Sequence, residues 1–179
     1  MQRYYIADPH FGHANIIHMT KRPFATVEAM DQAMIDAWNE RVTDEDEVYI
    51  IGDLIYRSRF TAGYYLSQLK GSKHLILGNH DKWLKPEEHH HFFESISHIK
   101  ELTDEGKYLV LCHYPLAEWP GFHRNSLHIF GHIHNTREGD AFRYYQGNTR
   151  MLNAGVDINH YAPVRLQELI DNNEKWRRE

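Results

Sequence analysis

The sequence predicts an α/β fold, and three observations carry that reading. Short apolar segments recur along the chain, each bounded like a buried strand. Patterns with helical spacing lie between them through the first half. Each apolar segment ends on an Asp, Gly, Asn or His just past its carboxyl end, the edge where open sheets bind ligands.

Taken in order, residues 3–7 form the first predicted strand and run into Asp8. Behind the cap candidate Thr26, the residues Val27, Met30, Met34, Ala37 and Trp38 recur at helical spacing. Residues 47–51 read as a strand leading into Gly52-Asp53. A shorter helix over 64–69 stops at Gly71, in the manner of a C-terminal glycine cap. Residues 74–77 lead into Gly78-Asn79, 109–112 into His113, and 127–130 into Gly131-His132. Beyond that point, 142–145 and 151–154 read as strands joined by the turn-rich Gln146-Gly147-Asn148, and a helix over 164–176 closes the chain.

A chain of 179 residues with 41% hydrophobic content can bury one good core, and the expectation is a single domain over 1–179. Lys and Arg number 20 against 25 Asp and Glu, a formal net charge of -5, so no global basic footprint for nucleic acid exists and only a local groove would serve. No charged segment followed by an apolar one opens the chain, and no run of about 18 apolar residues is present, so a cytoplasmic protein without a membrane partner is expected. Cys112 is the only cysteine, which excludes an intrachain disulfide; inside the apolar run 108–112 it reads as a small buried hydrophobe.

The unusual number is 15 histidines. Five of them fall in clusters that follow the predicted strands: Asp8-x-His10, Gly52-Asp53, Gly78-Asn79-His80-Asp81, His113 and Gly131-His132-Ile133-His134. Taken singly, each would pass as a turn, because Gly, Asn and Asp suit turn geometry. Their conjunction at successive strand ends describes a site for two metal ions. Apart from His80, the clusters supply oxygen and nitrogen donors suited to borderline divalent metals such as Mn, Fe, Zn and Ni, without a thiolate. That is hydrolytic chemistry. The His89-His90-His91 run, beside Glu87 and Glu88, reads instead as an exposed loop or helix face.

The order Asp-x-His, Gly-Asp, Gly-Asn-His-Asp, His, Gly-His-x-His from Asp8 to His134 resembles the calcineurin-like metallophosphoesterase superfamily, and within it the small bacterial and phage phosphoesterases without a cap domain. The resemblance implies a two-layer β-sheet sandwich flanked by helices, with two divalent ions, Mn foremost in vitro, at the strand ends. Carried over by position, Asp8, His10 and His134 would hold one ion, Asn79, His113 and His132 the other, and Asp53 would bridge them. Ions about 3.5–4 Å apart repel and need a shared carboxylate, and water between them becomes hydroxide near neutral pH. His80 would protonate the leaving oxygen or stabilise phosphoryl charge. Arg57 occupies the place of a phosphate-binding arginine. Family members with that arginine have a preceding aspartate that orients the histidine; here Tyr56 stands there, with Asp81 a candidate substitute. His13 is a candidate substrate or supporting contact, as is His123, which with Arg124 sits in the long 114–126 segment that offers a cleft wall. Arg22-Pro23-Phe24 is either another wall or the lead-in to the first long helix, and Asp157 is given a structural role.

The expected activity is hydrolysis of phosphodiesters, with monoesters second, by a bridging hydroxide, and the expected partner is a small phosphoester or nucleotide. A nuclease of the same superfamily is the enzyme alternative, with Arg57-Ser58-Arg59 and 175–178 as the only basic clusters. A non-catalytic scaffold, as in a retromer subunit of this fold, is the third; it has no need to retain His80 or every ligand, and all are present here.

Overall fold

In the computed structural model, which describes residues 1–84 and 87–179, two four-stranded sheets carry the helices. The first sheet is all parallel: β1 (Arg3–Ile6), β2 (Glu47–Ile51), β3 (Ser72–Ile76) and β4 (Ser95–Ser97), in that order. The second comprises β5 (Ile99–Asp104), β6 (Lys107–Cys112), β7 (Leu127–Phe130) and β8 (Met151–Asn153). Within it β5 and β6 pair antiparallel, while β6, β7 and β8 run parallel. Parallel neighbours require crossovers, and the chain supplies α1 (Ala14–Met19), α2 (Val27–Arg41) and α3 (Ala62–Leu66) in the first sheet. The second sheet is crossed by α4 (Gly139–Gln146) before α5 (Leu166–Arg178) closes the fold.

Side-chain alternation along the strands sets the layers. Tyr4, Ile6, Val48, Ile50 and Leu75 point from the first sheet to α2, where Met30, Met34 and Trp38 are buried. Their neighbours Tyr5, Tyr49, Ile51 and Ile76 point the other way and share an apolar layer with Leu109, Leu111, Ile129 and Leu152 of the second sheet. On its far face, Val110, Phe130 and Met151 pack on Phe142 and Tyr145 of α4. Truncating the fully buried Trp38 to Ala would cost about 3–5 kcal/mol, so the α2 layer is a principal source of stability. The two sheets are also joined through the backbone: Ala7, just past β1, pairs with Gly155, just past β8.

The predicted cap is in place, with Thr26 Oγ1 accepting from Ala29 N at 3.2 Å. Two predictions are corrected. Residues 142–145 are helical, because Phe142 and Tyr145, three apart, are buried while Arg143 and Tyr144 between them face solvent. The short helix ends earlier than expected, at Leu66, and Gly71 serves the turn into β3. The edge strands β4 and β5 and helix α1 escaped the sequence reading; β4 and β5 are polar and half-exposed and carry no buried apolar run. Cys112 is buried as expected, and His89–His91 lie on a largely exposed 3-10 turn. Among the described residues, no helix is long and apolar enough to cross a membrane.

Candidate metal centre

The carboxyl ends of β1, β2, β3, β6 and β7 converge, and the loops leaving them deliver Asp8, Asp53, Asn79, His113 and His132 to one place. The backbone there is strained: Asp8, His10, Asp53, His132 and His134 all have φ between 50° and 70°. Such left-handed backbone costs about 1–3 kcal/mol at each non-glycine residue and concentrates at functional sites. The glycines of the clusters make room. A methyl on Gly78 would lie 2.3 Å from Asp53 Oδ1, and one on Gly131 would lie 2.4 Å from Asp8 Oδ2.

Two groups of ligand atoms result, Asp8 with His10 and His134, and Asp8 with Asp53 and His113, each with atoms within 4.8 Å of one another. All five residues are buried except His134, whose side chain is 18% exposed. Asp53 Oδ2 lies 3.6 Å from His10 Nε2 and 3.5 Å from His113 Nε2, between the two sets. Asp53 Oδ1 accepts from His80 N at 2.8 Å. A backbone carbonyl orients the His113 ring: its Nδ1 bonds Ile51 O at 2.9 Å, which leaves Nε2 facing Asn79 Oδ1 at 3.2 Å. The His132 ring stands 5.2 Å from that of His113.

These residues fit a divalent cation. Among the described residues, Asp8 Oδ1 and both ring nitrogens of His10 are buried without a hydrogen-bond partner, an arrangement that costs several kcal/mol unless something positive satisfies it. Burial pushes the Asp8 carboxyl up to about 6 and drives His10 far below the ordinary imidazole range. Burial also lowers His132, helped by His113. It opposes charge on His134 as well, but Asp8 and Asp157 outweigh it and raise that imidazole. Buried Asp and His groups here are thus able to hold metal ions, with the nitrogen and oxygen donors that borderline metals prefer.

No family model matches the chain. The uncharacterized protein MJ1445 of Methanocaldococcus jannaschii is 33% identical over 174 residues, covering 96% of this chain and 91% of its own. The chain belongs to the family of that protein. The crystal structure of a protein of unknown function from Aquifex aeolicus, AQ665, is 30% identical with a TM-score of 0.74, covering 94% of this chain and 97% of that one. Neither name states a function. A phosphoesterase from E. coli, YfcE, aligns at a TM-score of 0.40 and 15% identity over 87% of this chain and 78% of that one, too slight a likeness to carry argument.

In this family member, Asp157, which the sequence reading left structural, and Arg22, which it read as a cleft wall or a helix lead-in, support the site from beneath. Asp157, given a purely structural role, accepts from Arg22 Nε at 2.9 Å and faces His134 Nδ1 at 3.0 Å. Arg22 also donates to Asp8 O and Pro9 O at 2.8 and 2.7 Å, so one buried guanidinium ties the Asp8 loop to Asp157 and, through it, to His134. Asn153 Nδ2 donates to His134 O at 2.8 Å. The signal for Asp157 was its place after a strand, in Gly155-Val156-Asp157; Arg22 was noted only as part of a possible wall, and nothing local marked its bonds to the Asp8 loop.

Asp81 does not orient the His80 ring. Its carboxylate is taken up by Asp53 N, Gly78 N, Leu54 N and Trp83 Nε1 at 2.8–3.1 Å, so it clamps the two loops instead. The His80 ring packs on Tyr56, with centroids 4.1 Å apart, and its Nε2 lies 4.0 Å from Asp53 Oδ2. His13 leans on His10 and Tyr56 at 5.3 and 4.7 Å, and burial lowers it to about 4. Arg57 is exposed over the Tyr56 ring and lines the cleft that holds His80. His123 stands apart, 83% exposed beside Glu118, and among the described residues it makes no hydrogen bond or ion pair with this cluster.

Proposed function

We propose that this chain is a dinuclear metal-dependent phosphohydrolase that prefers phosphodiesters. The observation that carries the reading is the convergence of buried Asp8, His10, Asp53 and His113 with the partly exposed His134, with unpartnered atoms on Asp8 and His10, beside an open cleft. In this reading Asp53, 3.6 Å from His10 Nε2 and 3.5 Å from His113 Nε2, would touch both ions, with Asn79 and His132 completing the second set. Bound divalent ions would neutralise phosphoryl oxygens and acidify a water between them.

The remaining work falls to side chains. His80, half-exposed at the cleft and fixed by Tyr56 through packing, makes no side-chain hydrogen bond among the described residues, so its ring is free to give a proton to a leaving oxygen. Arg57 adds positive charge to the same cleft. An openness that admits substituents on both sides of phosphorus favours diesters, and the cleft of about 720 Å³ flanking Asn79 and His80 supports that preference. The test is a hydrolysis screen across cyclic nucleotides, dinucleotides, oligonucleotides and monoesters with Mn, Ni, Fe and Zn added in turn. Diester hydrolysis abolished by chelation and restored by metal is expected. A fully metallated protein inert on every phosphoester would overturn the proposal.

A further inference from the structure

Two loops of the candidate metal centre are tied to a carboxylate that belongs to neither. Asp31, on α2 and buried, holds both its oxygens 3.0 Å from Gly12 N, in the loop that carries His10 and His13. Its Oδ2 also accepts from the Tyr65 hydroxyl at 2.9 Å. A carboxylate only accepts, so Tyr65 gives its one proton to Asp31 and accepts from the Ser58 hydroxyl at 2.8 Å. Ser58 Oγ accepts in turn from Phe60 N at 2.9 Å. The bonds therefore run from the loop after Asp53, through Tyr65 on α3, to the loop after Asp8.

Strained backbone lies beside this relay. Arg57, the residue before Ser58, has φ 51°, a left-handed conformation that a non-glycine residue keeps only when its surroundings over-determine it. Ser58 anchors one side of it, and Tyr56 N, donating to Phe11 O at 3.1 Å, anchors the other. Gly12 lets the two loops touch, since a methyl there would lie 2.2 Å from Ser58 Cβ. What the turn presents is the Tyr56 ring, with its centroid 4.7 Å from that of His13 and 4.1 Å from that of His80. Tyr56 is the nearest ring to His80, ahead of His10 at 5.5 Å.

Resting on the phosphohydrolase reading, we infer that Asp31 is a positioning residue for His80. Through Tyr65 and Ser58 it holds the turn at Arg57, the turn sets the Tyr56 ring, and that ring fixes the imidazole. A buried carboxylate on α2 thereby does by relay what one bonded to the imidazole would do directly. Breaking a link leaves every proposed metal ligand in the chain and lets the His80 ring turn away from a leaving oxygen.

Tyr65→Phe breaks the relay at its centre while keeping the ring stacked on Phe11, with centroids 5.1 Å apart, and Ser58→Ala breaks it one bond further on. Tyr4→Phe is the control: it deletes a hydroxyl that donates to Arg41 O at 2.8 Å, at the far end of the helix that carries Asp31. Thermal denaturation confirms the fold of each variant. The first readout needs no turnover. In the metal-free protein, the His80 ring protons, shifted by the Tyr56 ring current and assigned by comparison with His80→Ala, should move towards free-histidine positions in both relay variants and stay in place in Tyr4→Phe. The second is a double-mutant cycle on kcat for a diester with an alkoxide leaving group, Mn content being checked in every variant. Tyr65→Phe alone should lose about 10- to 100-fold, the effect of a misplaced catalytic group. In the His80→Ala background it should lose less than about threefold more, because two changes that act through one group do not add. His80 resonances unmoved in both relay variants, or a fully additive loss in the cycle, would overturn the inference and leave the phosphohydrolase reading standing. A Mn-loaded wild type inert on every phosphoester would overturn that reading and the inference with it.

Discussion

Asp157→Asn tests the support of the metal centre through one atom. The Asp157 side chain is fully buried between Arg22, also fully buried, and His134. Asn keeps the volume and one acceptor oxygen but removes the charge. Breaking a buried pair by removing one partner costs about 3–5 kcal/mol. Arg22 retains its bonds to Asp8 O and Pro9 O, so the low end, about 3 kcal/mol, is expected. His134 also loses the anion that fixes its ring and raises its basicity, and losses of about 10- to 100-fold in metal affinity follow from such changes. Urea denaturation of the metal-free protein reads the first effect, and competition against a chromophoric chelator reads the second. A loss of stability below 0.5 kcal/mol together with unchanged metal affinity, as rough limits set by ordinary surface substitutions, would refute the reasoning.

Gly78→Ala should push the Asp53 carboxylate aside, costing about 1–3 kcal/mol and weakening metal binding, whereas Gly147→Ala, whose methyl would meet nothing nearer than 3.8 Å, should be neutral or slightly stabilising; thermal denaturation with and without metal compares them. Burial pushes the Asp31 carboxyl up to about 6, although Gly12 N and Tyr65 donate to it. Its folded value lies above the unfolded value of about 3.9, so the folded state takes up the proton first and wild type should gain stability relative to Asp31→Asn as pH falls from about 7 towards 4. A difference that is flat or shrinks over that range, measured by urea midpoints, would contradict the sign. His80→Ala should keep its metal but lose far more turnover on a diester with an alkoxide leaving group than on the matching p-nitrophenyl ester; equal losses would assign His80 to the phosphoryl oxygens instead.

The strands carrying the clusters were legible because each is a short apolar run cut off by a polar residue, and β2 and β7 match their expected bounds. The spacing of Val27, Met30, Met34 and Trp38 made α2 equally plain. Helix α4 was misread because Phe142-Arg143-Tyr144-Tyr145 is aromatic enough to suit a strand, and only the tertiary packing of Phe142 and Tyr145 on the second sheet decides for a helix. At the site, the residues that sit within clusters were visible, while their supports were not. Arg22 and Asp157 lie 135 positions apart and meet only through the fold, and the exposed position of His123 is likewise set by a loop whose course no local pattern fixes.

The central claim is a pair of ions bridged by Asp53, and anomalous diffraction at the Mn edge from crystals grown with Mn tests it most directly. The proposal expects two peaks about 3.5–4 Å apart, one near Asp8, His10 and His134 and the other near Asn79, His113 and His132, with an Asp53 oxygen contacting both. A single peak at saturating Mn, or two peaks that Asp53 does not touch, would contradict the account.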